Sequence, residues 1–295
     1  MHEIMSVIFL GESIHGVAEF TLFKREWLAR HESDELVIVF EADHIGMVRS
    51  RQEEESPEEI LLNFPRVHRT CEMLSLLEFA VANEIPLYGA DVVSRNQNEN
   101  FALGLQSQRQ NQKLEENRIY ALSDPFPARD EYMCDVMWKV AQKHPKRTII
   151  GFFHNLHIKK QGSLERGEFY LPSVAEQLFK KYGLPSYSIG LFARSGRALH
   201  NDLSEFTFSI ADSDVVEALA DSTHVSVLKQ TALGERSAYH HAFEKENLPV
   251  RIQYDECIVF DRVTTPTLST SKTPNQTDLP RQRSGADDLG RSAVI

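Results

Sequence analysis

The chain has 295 residues, with 32 Lys+Arg against 43 Asp+Glu, a formal charge of −11 and a pI near 5.6; 41% of residues are apolar and 25% charged. These fractions are those of a globular protein and exclude collagen-like, mucin-like and wholly disordered classes. The acidic balance gives no means of neutralising a phosphate backbone, so no nucleic-acid partner is expected, and a neutral or cationic small molecule suits the field better than an anion.

At the N-terminus Glu3 stands where a secretory signal needs basic residues, and the apolar run that follows is too short for one. No stretch reaches the ~20 apolar residues that span a bilayer, so no membrane association is expected. Cys71, Cys134 and Cys257 are odd in number and form no C-x-x-C pair, as in a reduced, cytoplasmic protein. Apolar runs at 5–10, 36–40, 86–88, 148–153 and 187–192 are hydrophobic on both faces, the pattern of strands covered on both sides. Between them apolar residues recur at helical spacing: Val17, Phe20, Trp27 and Leu28; Leu74, Leu77, Ala80 and Val81; Met133, Val136, Met137 and Val140. The alternation predicts an α/β fold, a mostly parallel central sheet flanked by helices in a single domain.

The charge run 51–59 predicts a solvated loop or a helix start. The polar, Pro-free stretch 96–122 predicts a long exposed helix, ended by Pro125 and Pro127. Runs at 206–210, 225–228 and 258–263 alternate more and predict antiparallel edge strands. From Thr265 the composition turns to Thr, Ser, Pro and Gln, which cannot bury enough apolar surface to offset ordering entropy. A folded body over 1–264 and a disordered tail over 265–295 are therefore expected. The tail carries four basic and three acidic residues, which leaves −12 on the body.

In parallel sheets of this class ligands bind beyond the carboxyl ends of the strands. There the chain delivers Gly11-Glu12-Ser13-Ile14-His15-Gly16 with Glu19 following, then Glu41-Ala42-Asp43-His44, Gly89-Ala90-Asp91 and His154-Asn155-Leu156-His157. A helix starting near Ser13 would set His15 and Glu19 about 40° apart on one face. A carboxylate beside His15 fixes the tautomer of a general base; the same residues also suit a plain helix start in which Glu12 complements the dipole. His154 and His157 suit either two metal ligands or two donors to an oxyanion, with Asn155 holding the loop. No two glycines stand two or four positions apart, so G-x-G-x-x-G and G-x-S-x-G do not occur, and Walker A and H-E-x-x-H are absent too. A histidine and carboxylate site without an obvious nucleophile favours direct activation of water or of a substrate hydroxyl.

These blocks, in this order, resemble the erythromycin esterase family. Residues 11–20 match its G-E-x-x-H-G-x-x-E-F opening, and Phe40-Glu41-Ala42-Asp43 the acidic end of its second strand. The segment 72–83 followed by Tyr88-Gly89-Ala90-Asp91 is similar to its helix and strand ending G-x-D. Arg129-Asp130 with Met133 resembles its R-D-x-x-M helix, 153–157 its A-H-N-x-H strand end, and 254–265 its closing strand. The resemblance spans roughly residues 5–265 and implies a catalytic domain that opens a macrolide lactone with water, an antibiotic-resistance activity with no covalent intermediate, cofactor or metal. It makes His15 the general base, Glu12 its orienting partner, Glu41 a second carboxylate and His154 the group that binds the carbonyl oxygen. His157, Lys24, Arg129, Asp91 and Glu19 are then expected to face the substrate.

Two departures bear on the substrate. Lys24 stands where the family commonly has Arg, which loses the bidentate fork, and the interval from Asp91 to His154 is shorter than in the macrolide enzymes, which implies a smaller or more open pocket. Another natural-product ester, or acyl transfer or cyclisation by the same base, follows as an alternative. Competing readings are a metal-dependent hydrolase built on His15, Glu41, His154 and His157, and a haem or small-ligand binding protein. Glu12, Glu19, Glu41, Asp43 and Asp91 together predict an acidic cleft suited to an amino-sugar cation.

Overall fold

In the computed structural model, which describes residues 6–96, 101–220 and 225–269, the apolar runs become strands of one sheet. They are β1 (Val7–Leu10), β2 (Leu36–Asp43), β3 (Leu87–Asp91), β4 (Thr148–Phe152), β5 (Ser186–Leu199), β6 (Glu205–Ser209) and β7 (Val225–Lys229). A small hairpin of β8 (Tyr239–His240) and β9 (Glu244–Lys245) precedes the last strand, β10 (Glu256–Val263). The order across the sheet is β3-β2-β4-β1-β5-β10-β7, with β6 paired to the second half of β5. All pairings among β3, β2, β4, β1, β5 and β10 are parallel; β6 and β7 are antiparallel to their neighbours.

One edge expectation is corrected. The run at 258–263 is not an antiparallel edge: β10 lies parallel to β5, from Glu256 opposite Ile189 to Val263 opposite Gly196, and β7 covers its outer side. Flanked by strands on both sides, it buries Cys257, Ile258, Val259 and Phe260 in succession, as a central strand does.

The helices are α1 (Ala18–Leu28), α2 (His44–Gln52), α3 (Pro57–Leu61), α4 (Cys71–Ala82), α5 (Leu103–Tyr120), α6 (Phe126–Lys143) and α7 (Val174–Tyr182). They form two layers. Leu10, Phe40, Ile150 and Phe152 pack on one face of the sheet with Phe20 and Leu28 of α1 and Leu76 and Leu77 of α4. Phe9, Val37, Val39 and Ile149 pack on the other with Met133 and Met137 of α6 and Leu178 of α7. Each such side chain contributes roughly 1.5–3 kcal/mol on burial. Truncating Phe9, fully buried and edge-on to Phe153 at 5.6 Å, to Ala would cost about 3–5 kcal/mol.

Local chemistry sets several boundaries differently from the sequence pattern. Within the charge run, Ser56 and Glu59 form a reciprocal capping box that starts α3, but Glu55 pairs with the buried Arg49 at 2.6 Å and is not solvated. α5 stops at Tyr120, before Pro125 and Pro127. Those prolines instead open α6, at its N-cap and first turn, where a missing N–H costs nothing. Nor is α5 simply exposed, since Arg109 and Gln112 are buried against Asp43. Residues 265–269 belong to the folded body: Cys71 N–H donates to the Thr267 carbonyl at 2.7 Å and Ser269 N–H to Arg69 at 2.9 Å. The rest of the expected tail, 270–295, lies outside the described residues. All three cysteines are free, and no described helix is long and apolar enough to cross a membrane.

After β1 the chain turns to the α1 face of the sheet, and after the neighbouring β4 it turns to the α7 face. The two connections therefore part at the carboxyl ends of β1 and β4. In open α/β sheets that crevice is where ligands bind.

Candidate active site

The loop after β1 is built to bring its side chains close to the β4 end. Gly11 allows it: a Cβ there would sit 2.1 Å from Asn155 Oδ1. Gly11 N–H and Ser13 N–H continue the ladder to Ile189 and Leu191 of β5, at 2.9 and 3.0 Å, and Asn155 N–H closes onto the Glu12 carbonyl at 2.8 Å. Gly16, at φ +62°, turns the chain where any Cβ would meet Leu199 at 2.6 Å. Val17 is extended, and α1 begins only at Ala18. His15 thus lies in a loop and shares no helical face with Glu19.

Glu12 is the hub of the first cluster. Its Oε1 meets His15 Nδ1 at 2.8 Å and His68 Nε2 at 3.3 Å, and its Oε2 accepts from Lys24 Nζ at 2.7 Å. Burial pushes this carboxyl up, but Lys24, His68 and His15 outweigh it and hold the group far below the usual carboxylate range. An ionised carboxylate only accepts, so Nδ1 of His15 carries a proton and, in the neutral ring, Nε2 keeps the lone pair. Lys24 is itself buried, with Nζ 5.5 Å from the centre of the Phe152 ring. His15 is the more open member, its side chain 18% exposed.

A second cluster stands behind the first. Arg129 donates to Asp91 through Nε and Nη2, both at 2.9 Å, and to Glu41 Oε1 at 2.6 Å. The other Glu41 oxygen accepts from the backbone N–H of His154 at 3.0 Å, which fixes the start of the β4 loop. His157 lies between Asp130, at 2.8 Å, and Glu41, at 3.4 Å. Burial would lower its pKa, yet these carboxylates raise it to about 10, so it is an imidazolium at neutral pH. Burial opposes ionisation of Glu41, and His157 with Arg129 overcomes it, holding Glu41 well below the ordinary value.

His154 faces His15, ring centres 4.8 Å apart. Its Nδ1 accepts from Leu156 N–H and its Nε2–H reaches the Ser13 carbonyl, both at 3.3 Å. Burial, with repulsion from His15, His241 and His240, keeps it neutral. His240 and His241 come from the β8–β9 hairpin, with centres 4.9 Å from His154. Burial pulls His68 down to about 4 and His241 to about 3. Between these groups lies a narrow cleft with about 20 Å³ of water-accessible space, walled by Glu12, Lys24, Glu41, His68 and His154 and floored by Phe40 and Phe152.

The structure therefore brings together Glu12, His15, Glu41 and His154, with Lys24, Arg129, Asp91 and His157 as supports. Those four supports are buried and bonded to other side chains, which positions the site; of them Lys24 also lines the cleft. Glu19 is a correction: its carboxylate accepts from Thr264 N–H and Oγ1, both at 2.8 Å, and it ties down the segment after β10 outside the cleft. The acidic cleft is corrected as well. Asp43 is saturated by Arg109 and Gln112, and Lys24, Arg129 and His157 offset Glu12, Glu41, Asp91 and Asp130, so little net negative charge remains to attract a cation. The ligand set His15, Glu41, His154 and His157 does not assemble. Among the described residues the groups with metal-compatible spacing are His15, His154 and His241, and Glu12, His15 and His68. Sequence reasoning gave no site role to His68, Asp130, His240 or His241; the Arg-Asp pair at 129–130 and the His-His pair at 240–241 were the visible signals.

No protein-family profile matches the chain. Among curated proteins it is similar to "Putative hydrolase YbfO" of Bacillus subtilis (strain 168), with 25% identity over 172 residues. That stretch is 52% of this chain and 39% of YbfO, so the chain spans about two fifths of that relative. Three solved structures share its fold. A Bacillus cereus protein matches with a TM-score of 0.66 and 14% identity, and a succinoglycan biosynthesis protein with 0.66 and 13%, each over 90% of both chains. A mutant of the erythromycin esterase EreC in its open conformation matches with 0.61 and 13%, over 90% of this chain and 92% of its own.

Proposed function

We propose that the protein is a hydrolase of carboxylic esters or lactones in which His15 deprotonates water and no acyl-enzyme forms. The carrying observation is the Glu12–His15 pair. A buried, ionised carboxylate holds Nδ1–H at 2.8 Å and leaves Nε2 as the base, on a part-exposed ring beside His68 and His154 of the cleft wall. General-base action of this kind is typically worth about 10²–10⁴ in rate. Neutral His154, at the opposite wall, is the donor for the developing oxyanion. Its Nε2–H leaves a long 3.3 Å contact to Ser13 for a charged acceptor, where a hydrogen bond is stronger. Glu41 and Arg129 keep the His154 loop in place.

The likeness to YbfO and to the esterase fold supports hydrolysis as the reaction class. The cleft supports a limit on the substrate. Its water-accessible space of about 20 Å³ is room for about one water molecule. It takes the water, while the acyl group and the body of a substrate such as a macrolide lie outside it, beside His15. Because the buried acids are paired, a neutral substrate fits as well as a cationic one. The test is a panel of macrolides, simple lactones and esters, incubated in ¹⁸O-water and read by mass spectrometry. The expected product has gained one labelled water while the protein gains no mass. An acyl adduct on the chain, or no turnover across the panel, would refute the reading.

A further inference from the structure

We propose that the protonated carboxyl of Glu217 latches the β8–β9 hairpin onto the candidate site, so that the hairpin opens more often as pH rises through neutrality. The hairpin needs a latch. His241 and Ala242, in its turn, sit at φ +49° and +66°, a left-handed conformation that is uncommon for residues other than glycine and that hairpin turns mostly give to Asn and Gly. Its strands share only the pairs Tyr239 with Lys245 and His240 with Glu244, and an isolated two-stranded hairpin is marginal at best. It is held from outside instead. The His241 N–H donates to the Ser13 carbonyl at 3.0 Å, and the Tyr239 N–H donates to Glu217 Oε1 at 2.8 Å. Glu217 lies in the single turn Val216–Leu219, where the Val216 N–H donates to the Ser237 carbonyl at 2.9 Å.

Glu217 is 1% exposed, and its Oε2 is buried with no hydrogen-bond partner among the described residues. A carboxylate so enclosed, with one oxygen neither hydrated nor paired, is costlier than the neutral acid. Burial pushes the group up to about 8, with like charge from Glu246 and Asp212 opposing the pull of the Tyr239 N–H. Lifting the hairpin returns the carboxyl to water and to its ordinary value of 4.5. The open form then sheds a proton that the closed form keeps, so rising pH favours opening from about pH 4.5 to about pH 8 and no further. His240 and His241 act the other way. Burial keeps them neutral, so their charging opens the hairpin only below the ordinary imidazole range, about pH 6.5. Tyr254 and Cys257, raised by burial beside Glu217, favour opening only above about pH 9. Burial also raises Glu246, against Lys159 at 3.2 Å; Asp212 is paired with Lys245 at 2.8 Å. These two, with His15, Glu165 and His200, also face the hairpin and are common to the parent and to a Glu217 variant.

The latch rests on the hydrolytic reading only for its consequence. His154 is 4% exposed, with the His240 and His241 rings centred 4.9 Å from its own. Lifting the hairpin uncovers this oxyanion donor, so Glu217 is a positioning residue that sets how readily an acyl carbonyl reaches it. The test needs no substrate, and an absence of turnover would sink hydrolysis while leaving it readable. Hydrogen–deuterium exchange of the full chain is followed by mass spectrometry from pH 6.5 to pH 8 and expressed as protection relative to the unstructured rate. In the parent, protection of the amides of 239–246 should fall by about 15-fold over that range, and these amides should exchange faster than those of β1 throughout, as local opening requires. Glu217→Gln keeps an oxygen for the Tyr239 N–H and cannot ionise, so its hairpin protection should stay within about twofold. Level protection in the parent hairpin, the parental fall persisting in folded Glu217→Gln, or hairpin exchange only together with β1 would each overturn the proposal. The first and third are read on the unsubstituted protein and hold whether or not the variant folds.

Discussion

Replacing Glu12 by Gln separates what this residue does for folding from what it does for chemistry. The carboxylate faces Lys24 at 2.7 Å, His15 at 2.8 Å and His68 at 3.3 Å. An amide of the same shape leaves the Lys24 ammonium, 2% exposed, without a counter-charge. Breaking a buried pair on one side costs about 3–5 kcal/mol, a large part of a typical stability of about 5–15 kcal/mol, so the variant stays folded with a lowered urea midpoint. The amide also presents a donor to the His15 ring and no longer fixes its tautomer, and kcat/KM should fall by about 10²–10⁴. Adding Lys24→Met removes the stranded charge while filling the space beside Phe152. Most of the lost stability should return and none of the lost rate. Urea titration and steady-state kinetics on the three proteins read the two effects separately. Rate loss below about threefold in Glu12→Gln, or rate recovery together with stability in the double variant, would refute the reasoning.

The supporting cluster yields three more outcomes. Arg129→Met leaves Glu41 and the fully buried Asp91 without their shared guanidinium, so thermal denaturation should show a loss of at least about 3–5 kcal/mol; an unchanged melting temperature would contradict the assignment. His157 has a folded pKa of about 10 against 6.5 unfolded, so its contribution is complete below pH 6.5 and is lost as pH rises toward 10, by at most about 5 kcal/mol. Burial of Glu217 raises it to about 8, and burial raises the Cys134 and Cys257 thiols, whose contribution declines above about pH 9, so the decisive window is about pH 8–9, where His157→Gln should remove most of the decline seen in the parent protein. Glu19→Ala should leave kcat within about twofold while making residues 264–269 more sensitive to limited proteolysis; a large fall in kcat would return Glu19 to the site.

The fold was legible where strands are apolar on both faces, because burial under two helical layers leaves no alternation to misread. β10 was read as a strand but placed at an antiparallel edge, because its run alternates more than the others; it pairs parallel to β5 and β7 covers its outer side, which makes it central. Glu12, His15, Glu41 and His154 were legible because a strand end fixes their position before any side-chain contact is known. Glu19 was not, since Gly16 and the extended Val17 delay α1 and dissolve the assumed helical spacing. Sequence also cannot distinguish a charge that meets substrate from one that meets another charge: Lys24, Arg129, Asp91 and His157 were expected at the substrate, and each is bonded to another charged side chain, with Lys24 alone of them lining the cleft. His68, His240 and His241 arrive on a short turn and a hairpin that carry no periodic signal, and only tertiary packing brings them to His15 and His154.

The central claim is that His15 activates the water. Once an ester or lactone substrate is in hand, the most direct measurement is turnover of that substrate by His15→Ala, with circular dichroism and thermal melting to show that the fold is kept. Loss of at least about 100-fold in kcat with melting close to that of the parent protein is the predicted result; hydrolysis at the parent rate would contradict it.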